Sequence, residues 1–336
     1  MEIYFVNRKI NFDDNMVKPR NLMYMLSFLL FNLRIKLKLV ATISDVLLTL
    51  KCPNRCDHCL YRAGPEHNEF LDEKYFEKVI RGLKKIGCKF ISPIGGEPFL
   101  YLKGLEKFIK LSKKYSCEIA VFTSCRWATS HKKSFSILSR LKKSGLKYLV
   151  ISTDAFHLKR VPIENVKSTL RSCNSLGIST CLRVTYTKNF EPVISPIIKL
   201  AKTYKSRILI ESLCFWGRAS KFNPDDFRFN WKEVYNIEKE VNGYGIKDLM
   251  RKNFERLNFL LSCPFGPVVY PNGDLFLCYC SKPGLLVGNI KNSGIEEMVS
   301  NFNKSFFKRS FFIMRYFMKK DVSNAKIRCD ICPFTG

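Results

Sequence analysis

The chain lacks a hydrophobic run long enough to cross a membrane. Its apolar stretch from Met23 to Leu33 is followed at once by Arg34, whereas a helix that spans a bilayer needs about 20 apolar residues. The stretch also lacks the cleavage site of a signal peptide, and Asp13 and Asp14 precede it. We therefore expect no membrane span. We interpret the stretch as an amphipathic helix packed on the folded core, with shallow membrane contact as the alternative.

Acidic residues are scarce in this sequence. The 57 Lys and Arg residues outnumber the 29 Asp and Glu residues, which gives a formal net charge of +28. Such a charge can attract nucleic acid, an anionic membrane surface or an acidic peptide. The lysines are spread along the whole chain, however, and no basic stretch interleaved with aromatic residues marks a nucleic-acid track. We therefore interpret the charge as a solvated surface, and nucleic acid is not the expected partner.

A secreted disulfide framework is also not expected, although the chain has 14 cysteines. Such frameworks are typical of short chains, and this chain has 336 residues. The cysteines near the start and the end stand at the close spacings of metal ligands, which indicates a reducing, cytoplasmic location. With 46% hydrophobic and 13% aromatic residues, the chain can form one large barrel and an added domain.

From about residue 45, short β-rich runs alternate with amphipathic helical stretches. The predicted strands are Val46–Lys51, Lys89–Ile94, Glu118–Ser124, Tyr148–Thr153, Ile178–Tyr186 and Arg207–Leu213. The predicted helices are Leu71–Ile86, Leu102–Tyr115, Lys132–Lys143, Glu164–Leu176 and Glu191–Tyr204. Six β-α units predict a parallel sheet, and six are too few for a closed eightfold barrel. We therefore expect a partial barrel whose chemistry lies at the carboxyl ends of the strands.

Beyond residue 220 this alternation stops, which predicts a second, smaller unit. Asn230–Leu261 is predicted to be largely helical, and Ile295–Phe302 is predicted to be a short helix. Pro271-Asn272-Gly273-Asp274 stands between two β-rich runs and is a strong hairpin signal. The predicted domains are an N-terminal extension at 1–40, a barrel at 41–225 and a C-terminal domain at 226–336.

Three closely spaced cysteines, Cys52, Cys56 and Cys59, follow the first predicted strand. Three thiolates at this spacing can hold three corners of a cubane iron–sulfur cluster, and they leave the fourth iron without a protein ligand. An electron carrier normally fills all four corners, so the open iron indicates a cluster that binds a substrate or a cofactor. A zinc knuckle is the alternative, but zinc prefers four tetrahedral ligands, and His58 is sterically a poor fourth one.

This C-x3-C-x2-C loop resembles the signature of radical S-adenosylmethionine (radical SAM) enzymes, and weaker motifs extend the resemblance over residues 45–220. Gly95-Gly96-Glu97-Pro98, after the second strand, is similar to the family's GGEP turn. In the family, the backbone and the acid of that turn bind the methionine amino group of S-adenosylmethionine. The resemblance therefore implies the same role for these four residues.

The resemblance implies cofactor contacts at other strand ends as well. Ser152 and Asp154 are similar to the family's S-x-D pattern near the ribose and methionine portions, and Arg183 stands where a basic residue often meets the methionine carboxylate. Gly217-Arg218-Ala219 looks like the turn near the adenine, and His58 stands where the family places an aromatic residue against the adenine. Ordinary strand-end polarity is the alternative for Ser152, Asp154 and Arg183.

Membership of this family implies a [4Fe-4S] cluster and S-adenosylmethionine as cofactors. The resemblance implies that one electron from the reduced cluster would break the S–C5′ bond and that the resulting 5′-deoxyadenosyl radical would abstract hydrogen from a substrate. The electron comes from an external donor such as a flavodoxin or a ferredoxin.

The C-terminal cysteines suggest a second cluster. Cys263, Gly273 and Cys278 form a C-x9-G-x4-C pattern that resembles the first half of a SPASM domain, an auxiliary domain of radical SAM enzymes. Cys329 and Cys332 offer two more thiols, so the resemblance implies a shorter, twitch-type domain with one auxiliary [4Fe-4S] cluster. Cys280 is spare and can replace one ligand. Structural zinc is the alternative for this site.

Cys125 is the candidate catalytic residue, because it lies just after the third predicted strand at the active end of the barrel. A thiol there can return a hydrogen atom to a substrate radical, with core packing as the alternative. Cys214, at the end of the sixth predicted strand, is a weaker candidate for the same role. His157 is a candidate to line the substrate pocket, with a loop histidine that bonds the backbone as the alternative. The remaining cysteines are expected to be buried apolar residues, namely Cys88, Cys117, Cys173 and Cys181.

The sequence thus predicts an α/β protein, a partial (β/α)6 barrel followed by a small α+β auxiliary cluster domain. The expected reaction is hydrogen abstraction from a substrate, foremost a ribosomally made peptide or protein. Tailoring or dehydrogenation of a small molecule is the first alternative. A non-catalytic iron–sulfur or zinc protein that binds nucleic acid is the second, and an RNA-modifying radical enzyme combines the two properties.

Overall fold

The computed structural model describes residues 3–5, 8–10, 43–187, 191–227, 231–243, 266–279, 281 and 285–302. The strands are β1 (Ile3–Phe5), β2 (Arg8–Ile10), β3 (Ile43–Thr49), β4 (Phe90–Gly95), β5 (Glu118–Thr123), β6 (Tyr148–Ser152), β7 (Ser179–Thr185), β8 (Arg207–Glu211), β9 (Val268–Val269), β10 (Asp274–Phe276) and β11 (Leu286–Asn289). The helices are α1 (Phe76–Lys85), α2 (Leu102–Lys114), α3 (His131–Ser144), α4 (Ala155–Leu158), α5 (Ile163–Leu176), α6 (Glu191–Thr203) and α7 (Trp231–Asn242). Residues 295–302 are also helical.

Strands β3 to β8 lie side by side in chain order and are parallel throughout. Helices occupy the connections between them, as a parallel sheet requires. The predicted alternation of strands and helices is therefore confirmed, with element ends that differ from the prediction by a few residues. In the described part of the chain the sheet runs from β11 to β8, and these two edge strands are not hydrogen-bonded to each other, so barrel closure is not seen there.

Local sequence signals explain where individual helices begin and end. At the start of α3, the Ser130 hydroxyl accepts the backbone N–H of Lys133 at 3.2 Å, which satisfies one free donor of the first turn. Helices α3 and α5 both end at a glycine in the left-handed conformation, Gly145 with φ 119° and Gly177 with φ 61°. Glycine adopts this conformation without a side-chain penalty, so both helices end where the sequence predicts.

The two faces of the parallel sheet have different surroundings. One side-chain row on each strand packs under the helices and belongs to the hydrophobic core, for example Leu149 and Ile151 of β6 and Leu182 and Val184 of β7. The alternate row points the other way and is only partly buried on β5 to β8: Phe122, Val150, Ser152, Arg183, Leu209 and Glu211. Parallel sheets are usually covered on both faces. These side chains of the second face are thus only partly buried in the part of the chain that the structure describes, and we call this face the inner face.

The predicted hairpin after residue 267 is confirmed. Strands β9 and β10 pair antiparallel on either side of Pro271–Gly273, one residue shorter than the predicted turn, and Gly273 takes a positive φ of 97° there. The sequence did not predict where the hairpin docks: β9 pairs in parallel with β3, so β9, β10 and β11 extend the same sheet. The Ser44 hydroxyl and the Asp45 N–H both donate to Pro267 O, at 2.9 and 3.0 Å.

Several expectations concern segments that the structure covers only in part. The Met23–Leu33 stretch lies outside the described residues, and within those residues no helix is long and apolar enough to cross a membrane. Of the predicted helical segment Asn230–Leu261, the part that forms α7 is confirmed, and 244–261 lies outside the described residues. The short helix expected at Ile295–Phe302 is present. The division into three domains stays a prediction.

Candidate functional site

The three-cysteine loop begins directly after β3 and folds back on itself. The N–H of Cys52 donates to Gly64 O at 3.0 Å, and the N–H of Gly64 donates to Leu50 O at 3.1 Å. Cys56 is buried, whereas Cys52 and Cys59 are partly exposed, and all three are free thiols. The loop therefore presents its sulfurs from a closed turn at the carboxyl end of a parallel strand.

The chemistry of these thiols suits a cluster of several metal ions. Burial raises the pKa of the Cys52 and Cys56 thiols to about 12, and the neighbouring sulfurs add to this, a penalty that bound cations offset. Three thiolates can hold three corners of an iron–sulfur cluster, whereas a structural zinc site normally has four protein ligands. A separate group of possible ligands among the described residues, His58, Asp154 and His157, has its donor atoms within 4.8 Å of one another.

The glycine pair after β4 packs against the backbone at the start of the cysteine loop. The N–H of Gly96 donates to Thr49 O at 2.7 Å, and the N–H of Glu97 donates to Lys51 O at 2.9 Å. A Cβ atom on Gly95 would lie 2.2 Å from Thr49 O, and one on Gly96 would lie 2.0 Å from Lys51 O. Only glycine permits this approach, so the two motifs recognised separately in the sequence form one backbone unit.

Glu97 is buried and bonded to the protein through both carboxylate oxygens. Oε1 accepts from the Thr123 hydroxyl at 2.8 Å, and Oε2 accepts from the N–H and the hydroxyl of Ser124 at 3.0 and 2.7 Å. Burial raises the pKa of Glu97, while these hydrogen bonds oppose the shift. The carboxylate thus ties the turn after β4 to the end of β5. Pro98 is buried as the first residue of the 3₁₀ helix Pro98–Tyr101.

His58 packs in a cluster with residues from the end of β6. Its ring stacks on Phe156 with the centroids 4.3 Å apart, and His58 Nε2 lies 3.6 Å from Asp154 Oδ2. Burial lowers the pKa of His58 to about 4, although the Asp154 carboxylate opposes this shift. His58 Nδ1 is buried and has no hydrogen-bond partner among the described residues. A ligand that reaches this ring therefore meets a neutral imidazole with an unused polar atom.

Asp154 caps the short helix α4. Oδ1 accepts the N–H groups of Phe156 and His157, both at 3.0 Å, and lies 2.9 Å from His157 Nδ1. Burial alone would raise the pKa of Asp154, but His157 and His58 outweigh it and hold that pKa below the usual range. Ser152, two residues earlier, is a partly exposed residue at the end of β6 and lies opposite Arg183 in the sheet register.

Arg183 lies on the inner face in a group of charged and phenolic side chains. Its Nε donates to Glu211 Oε2 at 2.5 Å, and its guanidinium lies 5.4 Å from the centre of the Phe122 ring. Asp45 of β3 accepts a hydrogen bond from the Tyr61 hydroxyl at 2.9 Å. Burial raises the pKa of Asp45 to about 6, against the Tyr61 hydrogen bond and the charge of Arg183.

The turn Gly217-Arg218-Ala219 lies against the cysteine loop. The N–H of Arg218 donates to Cys59 O at 3.0 Å, and its side chain bonds to the same loop. Gly217 takes a φ of 67°, and a Cβ atom there would lie 2.3 Å from Leu60 O. Ala219 is fully buried. The resemblance places these residues near an adenine; within the described residues they contact the loop between Cys56 and Ala63.

Cys125 is completely buried in the hydrophobic core. Burial raises the pKa of its thiol well above the ordinary value, and the Asn165 amide of α5 donates to its carbonyl oxygen at 3.2 Å. These surroundings correspond to the core-packing alternative, and the described contacts give no support to a role as hydrogen donor. Cys88, Cys117 and Cys173 are also in the core, as expected, whereas Cys181 and Cys214 are partly exposed.

Of the candidate ligands of the auxiliary cluster, the structure describes Cys278. Cys278 is buried just after β10. The other candidate ligands lie outside the described residues: Cys263, Cys280, Cys329 and Cys332. The auxiliary cluster therefore stays a prediction.

Five strand ends meet around the cysteine loop, namely those of β3, β4, β5, β6 and β8. Sequence reasoning identified the residues that belong to short motifs. It missed the partners that join those motifs, which are Asp45, Tyr61, Thr123, Ser124 and Glu211. Two features of the sequence could have indicated these partners: an acidic residue among mostly apolar ones in a strand, as at Asp45, and polar residues at the ends of strands.

Known proteins resemble this chain in sequence over part of its length. A model of the Radical SAM superfamily matches residues 46–191. GTP 3′,8-cyclase of Hydrogenovibrio crunogenus is 34% identical over 116 residues, 33% of each chain. Probable GTP 3′,8-cyclase of Pyrococcus horikoshii is 24% identical over 115 residues, 34% of this chain and 35% of the relative. The matches thus span about a third of the length of these curated relatives.

Solved structures share the fold over a larger part of the chain. Streptococcus suis SuiB bound to the precursor peptide SuiA has a TM-score of 0.59 at 16% identity, and the match covers 88% of this chain and 72% of SuiB. Native anSMEcpe with bound AdoMet has a TM-score of 0.53 at 16% identity, over 80% of this chain and 84% of that one. The family match at residues 46–191 agrees with the resemblance that the cysteine loop suggests, and these structures share the fold of the chain.

Proposed function

We propose that the chain binds a [4Fe-4S] cluster through Cys52, Cys56 and Cys59 and cleaves S-adenosylmethionine to abstract hydrogen from a peptide or protein substrate. The observation that carries this proposal is the closed loop with three free thiols at the carboxyl end of β3, in a sheet whose inner face is only partly buried among the described residues. The family match supports the cofactors, and the inner face supports a substrate site beside them.

When bound, the reduced cluster supplies the electron that splits S-adenosylmethionine into methionine and a 5′-deoxyadenosyl radical, which takes a hydrogen atom from the substrate. The residues of the protein would bind and orient S-adenosylmethionine beside the cluster. The backbone of Gly95 and Gly96 lies against the start of the loop and would bind the methionine amino group there. The ring of His58, which stacks on Phe156, would lie beside an adenine, and its buried Nδ1 has no hydrogen-bond partner among the described residues. Arg183 offers a cation, although its Nε already bonds to Glu211.

A peptide is the proposed substrate for two reasons. The inner face is partly exposed across four neighbouring strands, from β5 to β8, which is a wide surface for a small molecule. Among proteins with this fold, SuiB is described bound to a precursor peptide and anSMEcpe bound to a peptide, Kp18Cys. We further propose that Cys263, Cys278, Cys329 and Cys332 bind one auxiliary cluster, with Cys280 as an alternative ligand, and that a flavodoxin or ferredoxin in the cytoplasm donates the electron.

A small-molecule substrate is the second candidate, because the curated relatives are named GTP 3′,8-cyclases and one is 34% identical over 116 residues. One assay distinguishes a peptide substrate from a small-molecule substrate. The protein, reconstituted without air, is supplied with S-adenosylmethionine and dithionite and then with GTP or with candidate precursor peptides. Nucleoside formation and product mass that respond to GTP would reject the peptide proposal.

The loop itself is tested with a triple variant, Cys52→Ala, Cys56→Ala and Cys59→Ala. Iron, sulfide and released 5′-deoxyadenosine are measured beside the wild type. The matched control removes three core thiols instead, as Cys88→Ala, Cys117→Ala and Cys173→Ala. We expect the loop variant to lose about four irons and all nucleoside release, and the control to keep both. Equal iron in both variants, or zinc in place of iron, would overturn the proposal.

A further inference from the structure

Arg218 lies in the 3₁₀ helix Gly217–Lys221, after β8, and its side chain bonds to the cysteine loop. Its Nε donates to Cys56 O at 2.8 Å, and its Nη2 donates to Ala63 O at 2.6 Å. The backbone N–H of the same residue donates to Cys59 O at 3.0 Å. One residue thus bonds to three carbonyl groups spread over the loop, from a position 162 residues away from Cys56 in sequence.

These contacts need an arginine. The two carbonyl oxygens face different nitrogens of one planar guanidinium, and the ammonium of a lysine cannot reproduce this fork. Charge-assisted hydrogen bonds to carbonyls are stronger than neutral ones. Gly217 permits the close approach, because a Cβ atom there would lie 2.5 Å from Cys59 O and 2.3 Å from Leu60 O. The loop is therefore held by one partly buried cation.

A second cation of the same turn provides a comparison. Lys221 pairs with Asp57 of the loop at 2.8 Å, but the two side chains are 57% and 44% exposed. Exposed pairs contribute little because water and salt screen them. Removing Lys221 deletes the same unit charge from the same turn without touching the loop carbonyls. It is a matched control for Arg218.

We propose that Arg218 is a positioning residue for the cluster: its guanidinium holds the loop from Cys56 to Ala63 in the cluster-binding conformation, and its positive charge favours the reduced state of the cluster. This inference rests on the proposed function, since it concerns the cluster that the loop would bind. Reduction makes a thiolate-ligated cluster more negative, so a nearby cation raises its reduction potential.

The test uses the full chain in four forms: wild type, Arg218→Gln, Arg218→Lys and Lys221→Gln. Hydrogen exchange of the loop amides is measured on the metal-free protein. Iron retention against a chelator, and the midpoint potential from an EPR-monitored titration, are measured on the reconstituted protein. We expect Arg218→Gln to speed loop exchange and weaken iron retention, each about 10- to 100-fold, and to shift the potential downward.

The Arg218→Lys variant distinguishes the positioning role of Arg218 from its electrostatic role. Arg218→Lys keeps the charge but loses the fork, so the potential of the iron it retains should stay near that of wild type while loop exchange rises. Lys221→Gln should match wild type in all three measurements. Unchanged exchange and retention in Arg218→Gln would overturn the positioning role. Equal potential shifts in Arg218→Gln and Lys221→Gln would overturn the electrostatic role.

Failure of the proposed function gives a different result. If the wild type takes up no iron, the cluster proposal and the electrostatic role both fall. The metal-free exchange experiment still decides whether Arg218 holds the loop. Should Arg218→Gln fail to fold, Arg218→Lys with its retained charge decides the positioning role in the same measurement.

Discussion

At the scale of single residues, Gly96 decides how closely the turn after β4 approaches the cysteine loop. We expect Gly96→Ala to destabilise the fold by about 1–3 kcal/mol, because a Cβ atom would lie 2.0 Å from the rigid backbone oxygen of Lys51. Urea unfolding measures the loss, and iron retention should fall with it.

The matched control for this change is Gly294→Ala, since a Cβ atom at Gly294 would have no neighbour within 4 Å. Equal stability of the two alanine variants would show that the turn yields without cost and that the glycine requirement at position 96 is wrong.

Asp45 gives a pH-dependent prediction at the same scale. Burial raises the pKa of its carboxyl to about 6, against Tyr61 and Arg183, while Glu211 adds to the rise. Because the folded pKa is raised, the contribution of Asp45 to stability is full below its unfolded pKa of about 3.9 and is lost as pH rises through about 6, a difference on the order of 3 kcal/mol.

The measurement compares wild type with Asp45→Asn in urea unfolding from pH 4 to pH 7. The asparagine variant should gain stability relative to wild type as pH rises through this window, since it has no proton to lose. A constant difference between the two proteins across the window would contradict the raised pKa.

At the scale of elements, the turn between β9 and β10 sets the register of the hairpin. We expect Gly273→Ala to cost about 1–2 kcal/mol for the positive φ of 97°, and more for the contact of its Cβ with Asn289 Oδ1 at 2.7 Å. Thermal unfolding of the full chain measures the effect.

Gly243→Ala is the control for that turn. Gly243 also has a positive φ, 76°, but a Cβ atom there would have no neighbour within 4 Å. The difference between the two variants isolates the contact with Asn289, a residue whose side chain also donates to Asp274 Oδ1 at 2.8 Å. If the two variants lose the same stability, the contact does not matter and only backbone strain does.

The sequence predicted the ends of single helices and strands better than the contacts between them. The helices α2 and α5 were predicted to within one residue at each end, because their apolar periodicity lies inside the segment concerned and α5 also ends at Gly177. The first strand was placed later than it begins: β3 starts at Ile43, before the predicted Val46, because Ser44 and Asp45 are polar. Their hydroxyl and N–H bond to Pro267, a partner that the local pattern does not contain.

At the scale of the whole molecule, β9 covers the edge of β3. A chain that ends at residue 243 lacks β9, β10 and β11 and exposes the backbone of β3 that pairs with Val268 and Val269. Because unpaired strand edges pair with other chains, we expect this truncation to associate in a concentration-dependent way and to melt at a lower temperature. Size-exclusion chromatography and thermal unfolding measure these two effects.

The control truncation ends at residue 302 and keeps all three strands. It should remain as dispersed as the full chain at equal concentration. A stable, monomeric 1–243 protein would show that the parallel sheet from β3 to β8 does not need the strands after residue 266 for its stability.

The sequence by itself determined the repeated β-α order, the three-cysteine loop and the glycine turn after β4, because each is encoded by spacing within a short segment. Only the tertiary structure decided which motifs meet. Arg218 bonds to a loop carbonyl 162 residues away, Glu97 bonds to the end of β5, and β9 pairs with β3. These contacts depend on how strands are ordered and curved in space. One sequence records the polarity of each residue but not its partner, so the shared position of these groups became visible only in the fold.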